Sequence, residues 1–319
     1  MKLQRKLKGA YRFARSRFTE NSAILLYHRV APRVADPFSL CVDPGQFAEQ
    51  MERLRQFATP LPIAEFACRQ REGRLDRRSV AVTFDDGCLD VLQNALPVLE
   101  RFEIPAVIYF VSGNLGRPFW WNRLAELLLG VAPVPDEIRL GANGSGIEIG
   151  TRHRRDAFDE IYRRWIHREA PQRDEELAQL EAAVGAGSEA SDSRSMSADE
   201  IRTLSAHPLV TIGAHTVSHC RLASRSPEEQ YDEIRSSVEQ LATITGGAID
   251  SFSYPFGIRG RDYSAETVEA ARRAGLDHAL AADTDVVSPP EDGFALPRLW
   301  VHDADGARFE RRLRRWLRC

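Results

Sequence analysis

Two adjacent carboxylates, Asp85 and Asp86, follow the apolar run in "SVAVTFDDG" (79–87), and two imidazoles, His215 and His219, stand four residues apart at the end of "LVTIGAHTVSH" (209–219). Neighbouring acids after a buried run repel each other and resist desolvation, so a positive partner is needed to keep them charged. One carboxylate and two imidazoles make a three-donor set with open positions, as expected of a catalytic zinc or another divalent transition ion. The spacing of the histidines predicts a helical turn with both rings on one face. Each motif alone has a plainer explanation. Paired histidines occur by chance, and Asp-Asp can cap a helix running through "DDGCLDVLQNALPVL" (85–99), where acids complement the dipole. Together, both at the ends of apolar runs, they favour a metal ion as the positive partner.

The elements that must position these groups are short apolar runs alternating with amphipathic stretches. The runs are "AILLYHRV" (23–30), "VAVTF" (80–84), "PAVIYFV" (105–111), "LVTIGAH" (209–215), "SFSYPFG" (251–257), "HALAA" (278–282) and "LPRLWV" (296–301). This alternation predicts an α/β fold with a parallel sheet covered by helices, open or closed into a barrel. In either form the site lies at the carboxyl ends of the strands. The rhythm breaks over residues 117–200, expected to be a largely helical insertion with too little apolar sequence for a core of its own. The body restarts with Ser197 as N-cap, three residues before Glu200.

"TFDDG" (83–87), "HTVSH" (215–219) and "SYPFG" (253–257), in that order, resemble the first three motifs of the polysaccharide deacetylases, the NodB-homology domain of carbohydrate esterase family 4. "LLYHRV" (25–30) and "LPRLWVHD" (296–303) are also similar to segments of bacterial members, so the resemblance covers residues 21–115 and 197–305. It implies a distorted (β/α) barrel and metal-dependent hydrolysis of N- or O-acetyl groups on sugars. By position, Asp86, His215 and His219 are the implied ligands of a divalent ion, zinc or else cobalt, nickel, manganese or iron. Asp85 is the implied general base and the backbone N–H of Phe256 the implied oxyanion donor. Many members carry an arginine where this chain has Ser253, and Arg298 is expected to reach Asp85 from a neighbouring strand instead. His302 is the expected general acid. His28, on the same rim, either contacts substrate or is structural, and His153, His167, His207 and His278 receive no role.

At 319 residues and 43% apolar composition the chain can bury a sizeable core, and a net charge of −3 argues against a general nucleic-acid binder. Residues 1–20 are expected to form a basic amphipathic helix, with seven Lys or Arg and no acid between 1 and 19, and residues 306–319 a second one. Each end is expected either to dock on the body or to rest on an anionic membrane surface. The stretch 1–20 lacks the apolar run of a secretory signal, and nowhere is there a run long enough to span a bilayer. Five scattered cysteines, Cys41, Cys68, Cys88, Cys220 and Cys319, argue against a disulfide framework, and Cys88 and Cys220 are expected as small buried fillers. A cytoplasmic location, peripheral to the inner membrane, follows as the expectation, with residues 21–305 as the catalytic domain. The expected partner is an acetylated carbohydrate, without nucleic acid or an evident protein partner. Trp120 and Trp121 either stack on sugar rings or pack against the barrel. The leading reading is a deacetylase of a surface polysaccharide or lipid-linked glycan. A deformylase of a polyprenyl-linked formamido sugar and a catalytically silent carbohydrate-binding protein stand as alternatives.

Overall fold

The structure, a computed structural model, describes residues 21–32, 35–141, 145–148, 154–166, 168, 170–185, 193–287 and 292–317. The basic segment 1–20, and with it the first expected amphipathic helix, lies outside the described residues, as do His153 and His167. In chain order the strands are β1 (Ala23–Tyr27), β2 (Arg29–Val30), β3 (Cys41–Val42), β4 (Thr59–Pro60), β5 (Ser79–Phe84) and β6 (Ala106–Phe110). They continue with β7 (Glu137–Leu140), β8 (Ser145–Glu148), β9 (Val210–Ala214), β10 (Ser251–Ser253), β11 (His278–Leu280) and β12 (Leu299–Trp300).

The main sheet runs β11-β10-β9-β6-β5-β1-β12, with β4 beside β5, and its registered pairs are parallel. Every residue of β1, β5 and β6 is buried, which explains why these strands read as continuous apolar runs rather than alternating ones. The sheet curls until its two ends are joined by one segment. Leu296 bridges Leu280 at the end of β11, Arg298 N–H donates to Asp283 O, and Leu299 and Trp300 then pair with Leu25 and Leu26 of β1. The result is a distorted barrel, and Arg298 sits in its seam.

The covering helices begin where their sequences dictate. Asp43 caps helix Pro44–Phe57 by accepting from Gly45 N and Gln46 N, with proline in the first turn. Ser197 and Glu200 form a reciprocal capping box at helix Ala198–Ser205. The terminal helix Gly306–Leu317 buries Phe309, Leu313 and Leu317, and the Arg314 guanidinium lies 3.8 Å over the Phe57 ring of helix Pro44–Phe57. Its apolar face is consumed by the body, so only its arginine face is presented outward. No described helix is long and apolar enough to cross a membrane.

The insertion departs from expectation. Helices Trp120–Leu129, Arg154–Trp165 and Ala170–Val184 and the antiparallel β7–β8 hairpin enclose an apolar cluster of their own, with Leu124, Leu128, Ile138, Phe158, Ile161, Trp165 and Leu180 buried. A few large side chains, Trp165 and Phe158 among them, supply what a count of apolar positions undervalues.

His278 in β11 is buried, its Nε2 without a hydrogen-bond partner, and burial brings its pKa down to about 4. The unfolded chain takes up this proton near pH 6.5 and the folded one does not. Stability from this group is therefore complete above pH 6.5 and is lost as pH falls toward 4, by up to about 3 kcal/mol. The urea midpoint is expected to fall less steeply between pH 7 and 4.5 in His278→Leu than in the wild type; parallel profiles would exonerate His278.

Candidate active site

β5 ends at Phe84, and the Asp85 N–H donates to Tyr27 O of β1 at 3.0 Å, which holds the acids at the carboxyl edge of the sheet. Asp86 and Gly87 then take left-handed backbone angles, φ +70° and +69°. A Cβ on Gly87 would stand 2.2 Å from the Phe110 ring, so only glycine fits there. This kink separates the two side chains: Asp85 turns to Arg298, Asp86 to the histidines. Helical structure begins at Leu89, three residues beyond Asp86, so neither acid stands at its N-cap.

The two histidines also depart from the expected helical turn. His215 follows β9 directly, and residues 215–219 form a turn in which Thr216 and His219 are left-handed, φ +66° and +57°. The Thr216 hydroxyl accepts from the His219 N–H, and Glu233 accepts from the N–H groups of Val217 and Ser218. Phe256 is left-handed as well, φ +59°. Such residues are uncommon outside glycine, and their concentration here marks a site held in a strained geometry.

Asp86, His215 and His219 offer donor atoms that all lie within 4.8 Å of one another. His215 Nδ1 is 2.7 Å from Ser253 O; a carbonyl only accepts, so Nδ1 carries the proton and Nε2 presents its lone pair. That Nε2 is 3.7 Å from Asp86 Oδ1, and His219 Nε2 is 3.4 Å from the same oxygen. Asp86 Oδ1 is buried without a hydrogen-bond donor, a costly arrangement that a cation relieves. Burial brings the pKa of His215 down to about 4, leaving the imidazole neutral, the form that ligates metal. Burial by itself would raise Asp86, but His219 and its neighbours bring it below the ordinary carboxylate value. The residues fit a divalent cation.

Asp85 is held differently. Arg298, fully buried, donates from Nη1 to Oδ1 and from Nη2 to Oδ2, both at 2.7 Å. Its remaining donors go to Ala281 O, Thr83 Oγ1 and Ser253 Oγ, and Ser253 Oγ–H donates to Asp85 Oδ2 at 3.2 Å. Burial raises the Asp85 pKa, and the guanidinium outweighs it, holding the group well below the usual carboxylate range. Serine at 253 is thus small enough to leave room for an arginine arriving from the seam.

These groups open into a cavity of about 700 Å³, within the range of small-molecule sites. His28, at the end of β1, lines it beside Asp85 and Asp86; its ring stacks on Trp300 at 5.2 Å and its buried Nδ1 has no partner. Phe256 also lines it, 4.9 Å from the His219 ring. Trp121 packs 4.8 Å from His219 and stacks on Phe119, while Trp120 stacks on Tyr162; both tryptophans reach the cavity as well as packing. His302 does not join the cluster. β12 ends at Trp300, which faces the cavity, and His302 beyond it is exposed, hydrogen-bonded to the Ser39 backbone near Arg308 and Arg312. His28 thus lies on the rim, as "LLYH", a histidine closing a strand-like run, suggests, whereas no local pattern in the sequence marks Trp300 or Tyr162 as cavity-lining.

Residues 72–279 match the family model for polysaccharide deacetylase, and the chain belongs to that family. Among curated relatives, the poly-beta-1,6-N-acetyl-D-glucosamine N-deacetylases of Staphylococcus aureus and Staphylococcus epidermidis are each 30% identical, over 120 and 122 residues. Those matches cover 33% of this chain and about two fifths, 41% and 42%, of the relatives' length. Among solved structures, IcaB from Ammonifex degensii superposes with a TM-score of 0.62 at 19% identity, covering 94% of this chain and 98% of that one. The Streptococcus pyogenes deacetylase PplD in complex with acetate gives 0.59 at 16% identity, with 91% and 96% covered. Both show the same fold.

Arg298→Ala leaves a buried carboxylate unpaired and is expected to cost about 3–5 kcal/mol of stability. Adding Asp85→Asn should recover part of that loss. Equal urea midpoints for the single and double variants would contradict the pairing.

Proposed function

We propose that the protein hydrolyses the N-acetyl group of an amino sugar in a surface polysaccharide or lipid-linked glycan, with a divalent ion, zinc by preference, at Asp86, His215 and His219. The observation that supports this most directly is the adjacency, in one cavity, of that donor set and an ionised, arginine-held Asp85. The names of the staphylococcal relatives agree with it. When bound, a divalent ion polarises the acyl carbonyl and makes water acidic enough to attack near neutral pH.

The chain's own residues supply the rest. Asp85 accepts the proton of the attacking water, and Arg298 and Ser253 fix which way its oxygens face. A C–O bond forms at the acyl carbon, whose oxygen gains negative charge, and the Phe256 backbone N–H donates to it. The C–N bond then breaks, and the departing amine takes a proton from His28, the role the sequence suggested for His302, while the proton that Asp85 accepted replaces it. The Trp300 ring fixes the His28 plane, and Trp120 offers a face to sugar rings.

Chelation is expected to abolish acetate release from β-1,6-linked N-acetylglucosamine oligomers, and added zinc to restore it. Asp86→Asn and His215→Ala should lose bound metal by elemental analysis. Asp85→Asn and His28→Ala should retain metal and lose kcat by about 10²–10⁴-fold. Full turnover by Asp85→Asn would sink the assignment, and a metal-loaded wild type that releases neither acetate nor formate from any acylated sugar would point to a silent carbohydrate-binding protein.

A further inference from the structure

Apart from Asp85 and Asp86, the charged wall of the cavity is basic. Arg168 and Arg173 reach it from the insertion, Arg221 and Arg225 from the segment after His219, and Arg261 from the segment after Phe256. The only acids lining the cavity among the described residues are Asp85 and Asp86, already committed to Arg298 and to the cation site.

Behind the wall a few carboxylates are shared among these groups. Glu176 is shared by Arg168 and Arg164, each at 2.8 Å, and by the Trp165 indole. Asp262, fully buried, is shared by Arg221 at 3.4 Å and Arg261 at 2.9 Å. The buried Nε of Arg221 makes no hydrogen bond. Its guanidinium lies 5.0 Å over the Phe256 ring, which in turn lies 4.9 Å from the His219 ring, so this charge is two ring contacts from the cation site. Arg173 lies 5.2 Å over Trp120 and 3.8 Å from the exposed carboxylate of Asp174. Five guanidinium groups thus line one cavity whose two acids are already committed, and their planar forks match phosphate and carboxylate oxygens. A neutral acetylated glucan supplies no such charge.

We propose that this wall is an anion-binding subsite, and that the acylated sugar the protein acts on carries a negatively charged group seated on Arg168, Arg173, Arg221, Arg225 and Arg261. The inference deepens the hydrolase reading and rests on it. Phosphate, as in a sugar linked through phosphate to a carrier, and carboxylate, as in an adjoining uronate, share the required chemistry.

The zinc-loaded full chain is assayed on three N-acetylglucosamine disaccharides: neutral, 1-phosphorylated, and joined to a uronate. Binding of inorganic pyrophosphate is measured separately by calorimetry. The expected result is a tenfold or greater advantage in kcat/KM for a charged substrate, carried by KM; the better of the two charged substrates identifies the source. In Arg173→Gln/Arg225→Gln, with metal content retained, the charged-to-neutral ratio should fall toward one and pyrophosphate binding should weaken at least tenfold. Equal kcat/KM for all three substrates with no pyrophosphate binding by the wild type overturns the subsite and leaves the hydrolase reading standing. No acyl release from any substrate, with pyrophosphate bound by the wild type and not by the variant, overturns the hydrolase reading and retains the anion site.

Discussion

The buried pair of Arg298 and Asp85 is the contact on which the site depends. A guanidinium with no exposure is tolerable only if every donor is used, and here the acceptors come from Thr83 on β5, Ser253 on β10, Ala281 after β11 and Asp85 itself. The pair therefore joins strands distant along the sheet order, at the seam where the curl closes. It also keeps Asp85 ionised next to a second carboxylate, which burial alone would forbid. Closure of the fold and the charge state of Asp85 are one constraint.

Around that pair the backbone does the sorting. Left-handed residues at Asp86, Thr216, His219 and Phe256 turn each loop sharply within about five residues of its strand, so that adjacent or near-adjacent side chains face different partners. The strain is sustained because neighbouring contacts determine each position: the Tyr27 carbonyl under Asp85, Ser253 O under His215, Glu233 under the Val217 and Ser218 amides. A site built on strand ends and pinned this way is pre-organised, which favours interactions realised in the transition state.

The insertion serves the same cavity from outside the barrel. Its own apolar cluster makes it a semi-independent unit, and its edge carries Trp120, Trp121, Tyr162, Arg168 and Arg173 to the site. The strand ends thus hold Asp85, Asp86 and His215, and the insertion supplies part of the lining around them. Five guanidinium groups meeting there mean that the cavity's charge is set jointly by insertion and barrel loops.

The sequence by itself determined the parallel α/β architecture, because strands buried on both faces must be continuous apolar runs, and it determined Asp85, Asp86, His215 and His219, because ionisable residues closing such runs are rare without a purpose. It also indicated that an arginine outside the third motif should reach Asp85. Only the tertiary structure decided the rest. That His215 and His219 converge through a left-handed turn rather than a helix depends on backbone angles that four-residue spacing does not encode. That His28 rather than His302 faces the cavity depends on where β12 ends, since His302 lies two residues beyond its last residue, Trp300, and leaves the strand for solvent. The arginines that line the cavity lie on three segments separated by long stretches of chain, and a charge pattern assembled by folding leaves no trace in any local motif.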